Sequence, residues 1–155
     1  MTLEIERKFL IDNSKIPGCL KPRRIAQGYL VSLPERTVRV RIAGDEAFLT
    51  IKGRSSDDGL SRYEYEQQID VDEAYHLLSL CEPGVIYKNR YVMIYRGKTW
   101  EIDEFRGANL GLWIAEVELE CANETIELPS WVIEEVTGDI RFYNSHLSKN
   151  PFTTW

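Results

Sequence analysis

Sulfur and imidazole are scarce in this chain: three cysteines and two histidines in 155 residues. Cys19, Cys81 and Cys121 are odd in number, far apart and without C-x-x-C spacing, which excludes a disulfide frame and a zinc site built from them. They read as buried or incidental thiols of a protein kept in a reducing cytosol. His76 and His146 lack partner spacing and read as ordinary surface or core residues. No apolar run approaches the ~20 residues of a membrane-spanning helix, and residues 1–10 carry no signal-peptide core. The expected location is the cytoplasm, with no membrane partner. Excess positive charge is missing too, since 19 basic against 25 acidic side chains leave a net charge of −6. A generic nucleic-acid or anionic-membrane binder is thereby excluded, and any affinity for phosphate must come from local clusters of Arg and Lys. Repeats, low-complexity tracts and linker-like shifts in composition are absent, and the length suits one domain over residues 1–155.

What is present is a rhythm. Like charges recur two residues apart: Glu4 and Glu6, Arg39 and Arg41, Glu64 and Glu66, and Glu116, Glu118 and Glu120. Strand side chains alternate faces with period 2, so each repeat aims its charges at one side of a strand. The residues between them are mostly apolar, as in Leu3, Ile5 and Phe9 or Val38, Val40 and Ile42.

Alternation predicts strands near 3–11, 25–32, 37–43, 47–52, 62–71, 85–96, 99–105 and 112–121. Turn chemistry separates them, as at Gly44-Asp45, Asp57-Asp58-Gly59 and Gly97. Asp72 is expected to cap a short helix over 73–80; 134–136 and 140–147 read as helical pieces, the second ended by Pro151. The fold class is therefore mainly β: an eight-stranded antiparallel closed barrel with a few short peripheral helices. Parity places Lys8, Arg39, Arg41, Lys52, Arg62, Lys88 and Arg90 on one face with Glu4, Glu6, Glu64, Glu66, Glu101, Asp103, Glu116, Glu118 and Glu120. So many ions cannot share a dry core, because unpaired buried charge costs several kcal/mol each. The face must line a wet, ion-paired, ligand-filled tunnel.

The opening Glu4-Ile5-Glu6-Arg7-Lys8 resembles the E-x-E-x-K signature of the CYTH superfamily, the triphosphate tunnel metalloenzymes. Arg39-Val40-Arg41, Thr50-Ile51-Lys52, Glu64-Tyr65-Glu66, Lys88 with Arg90, Asp103 and Glu116-Val117-Glu118 follow in the family's order. Gln27-Gly28-Tyr29-Leu30, and Glu135 to Asp139 through Arg141 and Tyr143, are similar to its short bacterial members, so the likeness covers essentially the whole chain. It implies an eight-stranded tunnel that binds a linear triphosphate with Mg²⁺ or Mn²⁺ and cleaves it.

The residue chemistry agrees with that implication. Arg39 and Arg41 offer planar forks for phosphate oxygens, and Lys8, Lys52, Arg62, Lys88 and Arg90 add charge from other walls. A hard divalent cation takes oxygen ligands, for which Glu4, Glu6, Glu116 and Glu118 are expected if the first and last strands pair, with Asp103 beside them. Lys8, Lys88, Glu4 and Glu6 are the expected catalytic groups, and Glu64 and Glu66 supporting acids. Phosphoryl transfer asks mainly for positioning and charge neutralisation, and the expected reaction is tripolyphosphate plus water to pyrophosphate plus phosphate. The expected partners are the triphosphate, the metal and, for a homodimer, a second copy.

Rival readings keep the tunnel. A class IV-type adenylate cyclase would need a pocket for adenine, and no sequence element builds one; Trp100, Trp113, Trp131 and Trp155 read as packing residues. A thiamine or nucleoside triphosphatase would grip the same group. A polyphosphate-binding module would show a broken acidic row, and a lipocalin-like carrier would reverse the parity.

Overall fold

The structure, a computed structural model, describes residues 3–155. Nine strands form one antiparallel sheet: β1 (Leu3–Ile11), β2 (Arg23–Leu33), β3 (Arg36–Ala43), β4 (Glu46–Gly53), β5 (Ser61–Ile69), β6 (Ile86–Tyr95), β7 (Lys98–Phe105), β8 (Trp113–Glu118) and β9 (Val132–Glu135). Their order is β5-β4-β3-β2-β6-β7-β8-β1-β9, and an added β5–β1 pairing closes the first eight into a ring. Among the described residues this closure runs through Leu3, Glu4 and Ile5 of β1, opposite Tyr63, Arg62 and Ser61 of β5. Strands one and eight do pair, with Glu6 opposite Glu118 and Lys8 opposite Glu116.

The strand order is not sequential, and three local features differ from the sequence expectation. Strand β1 lies beside β8 and β5, not beside β2, whose other neighbour is β6. The 134–136 segment is not helical but lies within and just past β9, paired with the end of β1 beyond a register shift at Leu10/Ile11. A residue triplet carries no helical period, and the open edge of β1 decides its conformation. The 140–147 piece is split: a 3₁₀ turn over Ile140–Phe142, extended Tyr143, then α2 (Asn144–Leu147). The early helix, α1 (Val71–Leu78), is capped by Asp70, whose Oδ2 accepts from the Glu73 amide at 3.2 Å, and not by Asp72.

Apolar side chains are sorted by the same parity. Outside the ring, Phe9, Trp100, Ile102, Ala115 and Val117 pack with Trp131, which the chain brings back across them. Phe9 lies 5.5 Å from Trp100, and Trp131 meets Trp100 edge-on at 5.2 Å. Each such burial is worth roughly 1.5–3 kcal/mol. Helix α1 covers Val40, Ile42 and Ala47 through Ala74. A third cluster is internal. Ile86, Phe105 and Ile114 share the tunnel face of their strands with Lys88, Asp103 and Glu116, and close one end of the ring against Val136, Phe142 and Leu147. The inner face is thus charged along its middle and apolar at the end that the C-terminal segment plugs. Across the charged part, the β4–β5 loop meets the turn after β9: a Cβ on Gly59 (φ +76°) would stand 2.2 Å from the Gly138 Cα, so glycine is required at this crossing.

Candidate active site

The ring encloses a cavity of about 250 Å³. Its walls include Glu4, Glu6, Lys8, Arg39, Arg41, Lys52, Arg62, Glu64, Glu66, Lys88, Arg90, Glu101, Glu116 and Glu118, so residues from strands far apart in sequence converge as parity expects. Two members of the predicted face differ. Glu120 follows the end of β8, is exposed, and accepts no place in the lining. Asp103 is 1% exposed and lies beneath the wall, its Oδ1 and Oδ2 accepting from Arg90 Nε and Nη2 at 2.8 and 2.9 Å and its Oδ2 also from Lys88 Nζ at 2.8 Å.

The charges are segregated around the ring. Arg39 and Arg41 on β3, with Lys88 and Arg90 on β6, make a basic wall on both sides of β2. Glu4 and Glu6 on β1, Glu116 and Glu118 on β8, and Glu64 and Glu66 on β5 make the acidic wall opposite. A few pairs bridge the two. Lys52 Nζ stands 3.0 Å from Glu4 and 3.4 Å from Glu64, Arg39 Nη2 3.6 Å from Glu66, and Lys8 Nζ 3.8 Å from Glu116. Arg62 is tied to the Gly53 carbonyl, donating from Nη2 at 2.9 Å.

Segregation leaves both walls with unmet charge. Burial lowers the Arg41 guanidinium to about 9, with Arg39 and Arg90 pushing the same way. Burial also lowers the Lys88 ammonium to about 7 against the pull of Asp103, helped by Arg90 and Arg41. Opposite them, burial and the nearby Glu116 and Glu4 carboxylates raise Glu6 well above its ordinary range. Glu64 rises to about 7 through burial and its hydrogen bond with Glu4, while Glu4, opposed by burial, is held at about 2 by Glu64 and Lys52. The buried Arg39 Nε has no hydrogen-bond partner. The basic wall is therefore suited to an anion and the acidic wall to a cation.

A divalent cation suits the acidic wall by the chemistry of its donors: carboxylates only, on adjacent strands, with Glu6 directly opposite Glu118. Like charges so placed repel, and a hard cation that prefers oxygen relieves this. Among the described residues, no three carboxylate, imidazole or thiol groups already converge on one point. Burial and neighbouring carboxylates raise Glu6, and Glu64 rises to about 7, so protons compete with a cation for this wall; Mg²⁺ or Mn²⁺ binding should release protons and tighten from pH 6 to pH 8. Calorimetric titration in buffers of different ionisation enthalpy checks this; binding that is independent of pH and of buffer would contradict it.

Sequence reasoning missed several polar residues of the lining. Thr37, and Thr50 of the Thr50-Ile51-Lys52 motif, share the tunnel parity of β3 and β4 and were assignable to the lining by extending the rows. Asn144 and Ser145 come from the C-terminal plug, where no periodicity marks them, beside Tyr143, whose family likeness alone did not place it in the lining. The remaining singled-out residues lie away from the cavity. Cys19 and Cys121 are exposed, and Cys81 is half-buried against Gly28. His76 is on α1 and His146 on α2. Trp100 and Trp131 are core, Trp113 stacks on Tyr91, and Trp155 meets Phe142 and Phe152. No helix among the described residues is long and apolar enough to cross a membrane.

A closed antiparallel ring with a basic wall facing a carboxylate wall defines a tunnel protein for a small polyanion accompanied by a hard cation. The chain belongs to the CYTH domain family, whose model matches residues 2–143, and the family implies a divalent metal. It is 46% identical over 153 residues to an inorganic triphosphatase of Acetivibrio thermocellus, covering 98% of this chain and 97% of that one. With an inorganic triphosphatase of Nitrosomonas europaea it shares 39% over 150 residues, covering 94% and 96%. The crystal structure of an inorganic triphosphatase superposes with a TM-score of 0.66 at 36% identity, over 96% of this chain and 95% of the other.

Proposed function

We propose that this protein is a metal-dependent inorganic triphosphatase, cleaving tripolyphosphate to pyrophosphate and phosphate inside the tunnel. The observation that carries this reading is the double deficit of charge: buried guanidinium and ammonium groups pushed down on one wall, buried carboxyls pushed up on the other. A linear polyanion with its cation satisfies both walls at once. The relatives named inorganic triphosphatase, matched over nearly their full length, support it.

Arg39 and Arg41 grip phosphate oxygens through their planar forks, and Lys52 and Arg90 hold the chain from neighbouring strands. Lys8 and Lys88 stand where charge on the departing pyrophosphate is neutralised. Glu4, Glu6, Glu116 and Glu118 would hold Mg²⁺ or Mn²⁺, which supplies Lewis-acid polarisation of phosphoryl oxygens. A carboxylate of that cluster accepts the proton of the attacking water as the new P–O bond forms; the old bridging P–O bond breaks and its electron pair leaves with pyrophosphate. Asp103, whose oxygens are engaged by Arg90 and Lys88, holds those two cations in place and is not assigned to the metal. Glu64 and Glu66 hold Lys52 and Arg39. The three unpaired thiols suit work in a reducing cytosol.

The absence of aromatic stacking surfaces other than Tyr29 and Tyr143 among the lining residues favours tripolyphosphate over ATP. The test is product analysis with Mg²⁺ or Mn²⁺ and each triphosphate in turn. Phosphate and pyrophosphate arising chiefly from tripolyphosphate is the expected result, and cyclic AMP from ATP would overturn it.

A further inference from the structure

Asn144 is the first residue of α2, in the C-terminal segment that plugs the apolar end of the tunnel. Its side chain joins two cations of the basic wall that do not touch each other. Asn144 Oδ1 accepts from Lys88 Nζ at 3.0 Å and from Gln27 Nε2 at 3.0 Å. Gln27 Oε1 in turn accepts from Arg41 Nε at 3.0 Å. Arginine and lysine can only donate, so both amides have one orientation that satisfies the chain: oxygen toward the cation, with the Gln27 amide nitrogen closing the link. Gln27 is fully buried at 0% exposure and Lys88 at 2%, so water cannot replace a lost partner at low cost.

We propose that Asn144 is a positioning residue: acting through Gln27, it holds the Arg41 guanidinium, and directly it holds the Lys88 ammonium, both aimed at the triphosphate. The plug therefore does more than close the tunnel. Phe142 and Leu147 anchor it in the apolar end, and Asn144 between them hands its placement on to two substrate-gripping groups. The neighbouring Phe142 carbonyl accepts from Lys8 Nζ at 3.3 Å, so the same segment also touches the basic residue of the first strand. Arg41 lies among the repelling charges of Arg39 and Arg90, with Asp103 pulling the other way, so its rotamer has to be chosen by a fixed partner. The neutral Gln27–Asn144 pair supplies that choice without adding a negative charge that would repel phosphate.

The inference rests on the reading of the tunnel as a triphosphate site. Its test is a cycle of N144A, R41A and the double variant, scored by metal-free tripolyphosphate binding in EDTA with calorimetry and by thermal unfolding. N144A should weaken binding about fivefold while KM rises more than kcat falls. Arg41 and Asn144 share no hydrogen bond, so their coupling passes through Gln27, or through Lys88, which Asn144 holds and Arg41 repels. The double variant should bind at least threefold more tightly than the product of the single losses predicts. Strictly multiplicative losses would overturn the inference. If N144A does not fold, Asn144→Leu, close in size but unable to accept a hydrogen bond, takes its place in the same cycle with the same expectation. Wild-type hydrolysis is measured alongside. A wild type that hydrolyses tripolyphosphate with no coupling sinks this inference alone. One that binds without hydrolysing, with the coupling intact, sinks only the hydrolase reading, and one that does neither sinks both.

Discussion

Glu118→Gln should abolish metal-dependent hydrolysis of tripolyphosphate while leaving the fold intact. Glu118 ends β8 at the open, exposed part of the lining and faces Glu6 across the β1–β8 pairing. Removing its charge relieves a repulsion in the metal-free protein, so the melting temperature without metal should stay the same or rise. What disappears is an anionic oxygen for the cation, whose share of transition-state charge stabilisation is several kcal/mol. At 1.36 kcal/mol per tenfold, that corresponds to a fall in kcat of about 10³. Steady-state kinetics with Mn²⁺ and a melting curve decide it together. Full turnover in the variant removes Glu118 from the metal site, whereas loss of turnover with collapse of the melt would mean a structural role.

Asp103→Ala has the largest expected effect on stability. Asp103 is the counter-ion of two buried cations, Lys88 at 2.8 Å and Arg90 in a two-pronged pair. Burial works against its charge, and Arg90 and Lys88 overcome this, holding it below the ordinary carboxylate range. Removing it leaves the buried Lys88 with no counter-ion and the partly buried Arg90 beside it with only Glu101, a penalty of about 3–5 kcal/mol. For a chain of this size that lowers the melting temperature by about 6–20 °C. Tripolyphosphate returns negative charge to the same groups, so it should stabilise Asp103→Ala more than the wild type. A melting temperature within about 2 °C of the wild type would show that water already reaches Lys88.

The sign of the metal-dependent pH effect follows from the same charge deficit. Glu6 and Glu64 are both raised, Glu64 to about 7, so cation and proton compete on the acidic wall, whereas Lys88 and Arg41 lose charge more readily as the pH rises. Substrate grip and metal grip are thus best in opposite directions of pH, and turnover should peak between them.

Much of this was legible in the sequence because a strand's period of 2 writes the lumen directly into the chain. Glu4 and Glu6, Arg39 and Arg41, and Glu64 and Glu66 could be assigned to one cavity with no knowledge of strand order, since every strand of a closed ring has an inside. Depth along the strand was not legible. Ile86, Phe105 and Ile114 share that inside with Lys88, Asp103 and Glu116, and only the C-terminal plug, which closes one end, makes them core. Nor does parity separate a group that lines the cavity from one just beneath it. Asp103 sits two residues from Glu101 on the same face, yet one lines the lumen and the other is consumed by Arg90 and Lys88. The β9 strand and Asn144 escaped because their conformations are set by the edge of β1 and the apolar end of the ring, which are long-range facts. Glu120 was overcounted for the same reason: β8 stops where its partners stop.

The most direct test is a crystal structure with tripolyphosphate and Mn²⁺, using anomalous scattering to place the metal. The account predicts Mn²⁺ against carboxylates of Glu4, Glu6, Glu116 and Glu118, with the phosphate chain lying on Arg39, Arg41, Lys88 and Arg90 inside the ring. Phosphate held instead on outer residues such as Arg36 and Arg54, with the lumen holding only solvent, would contradict it.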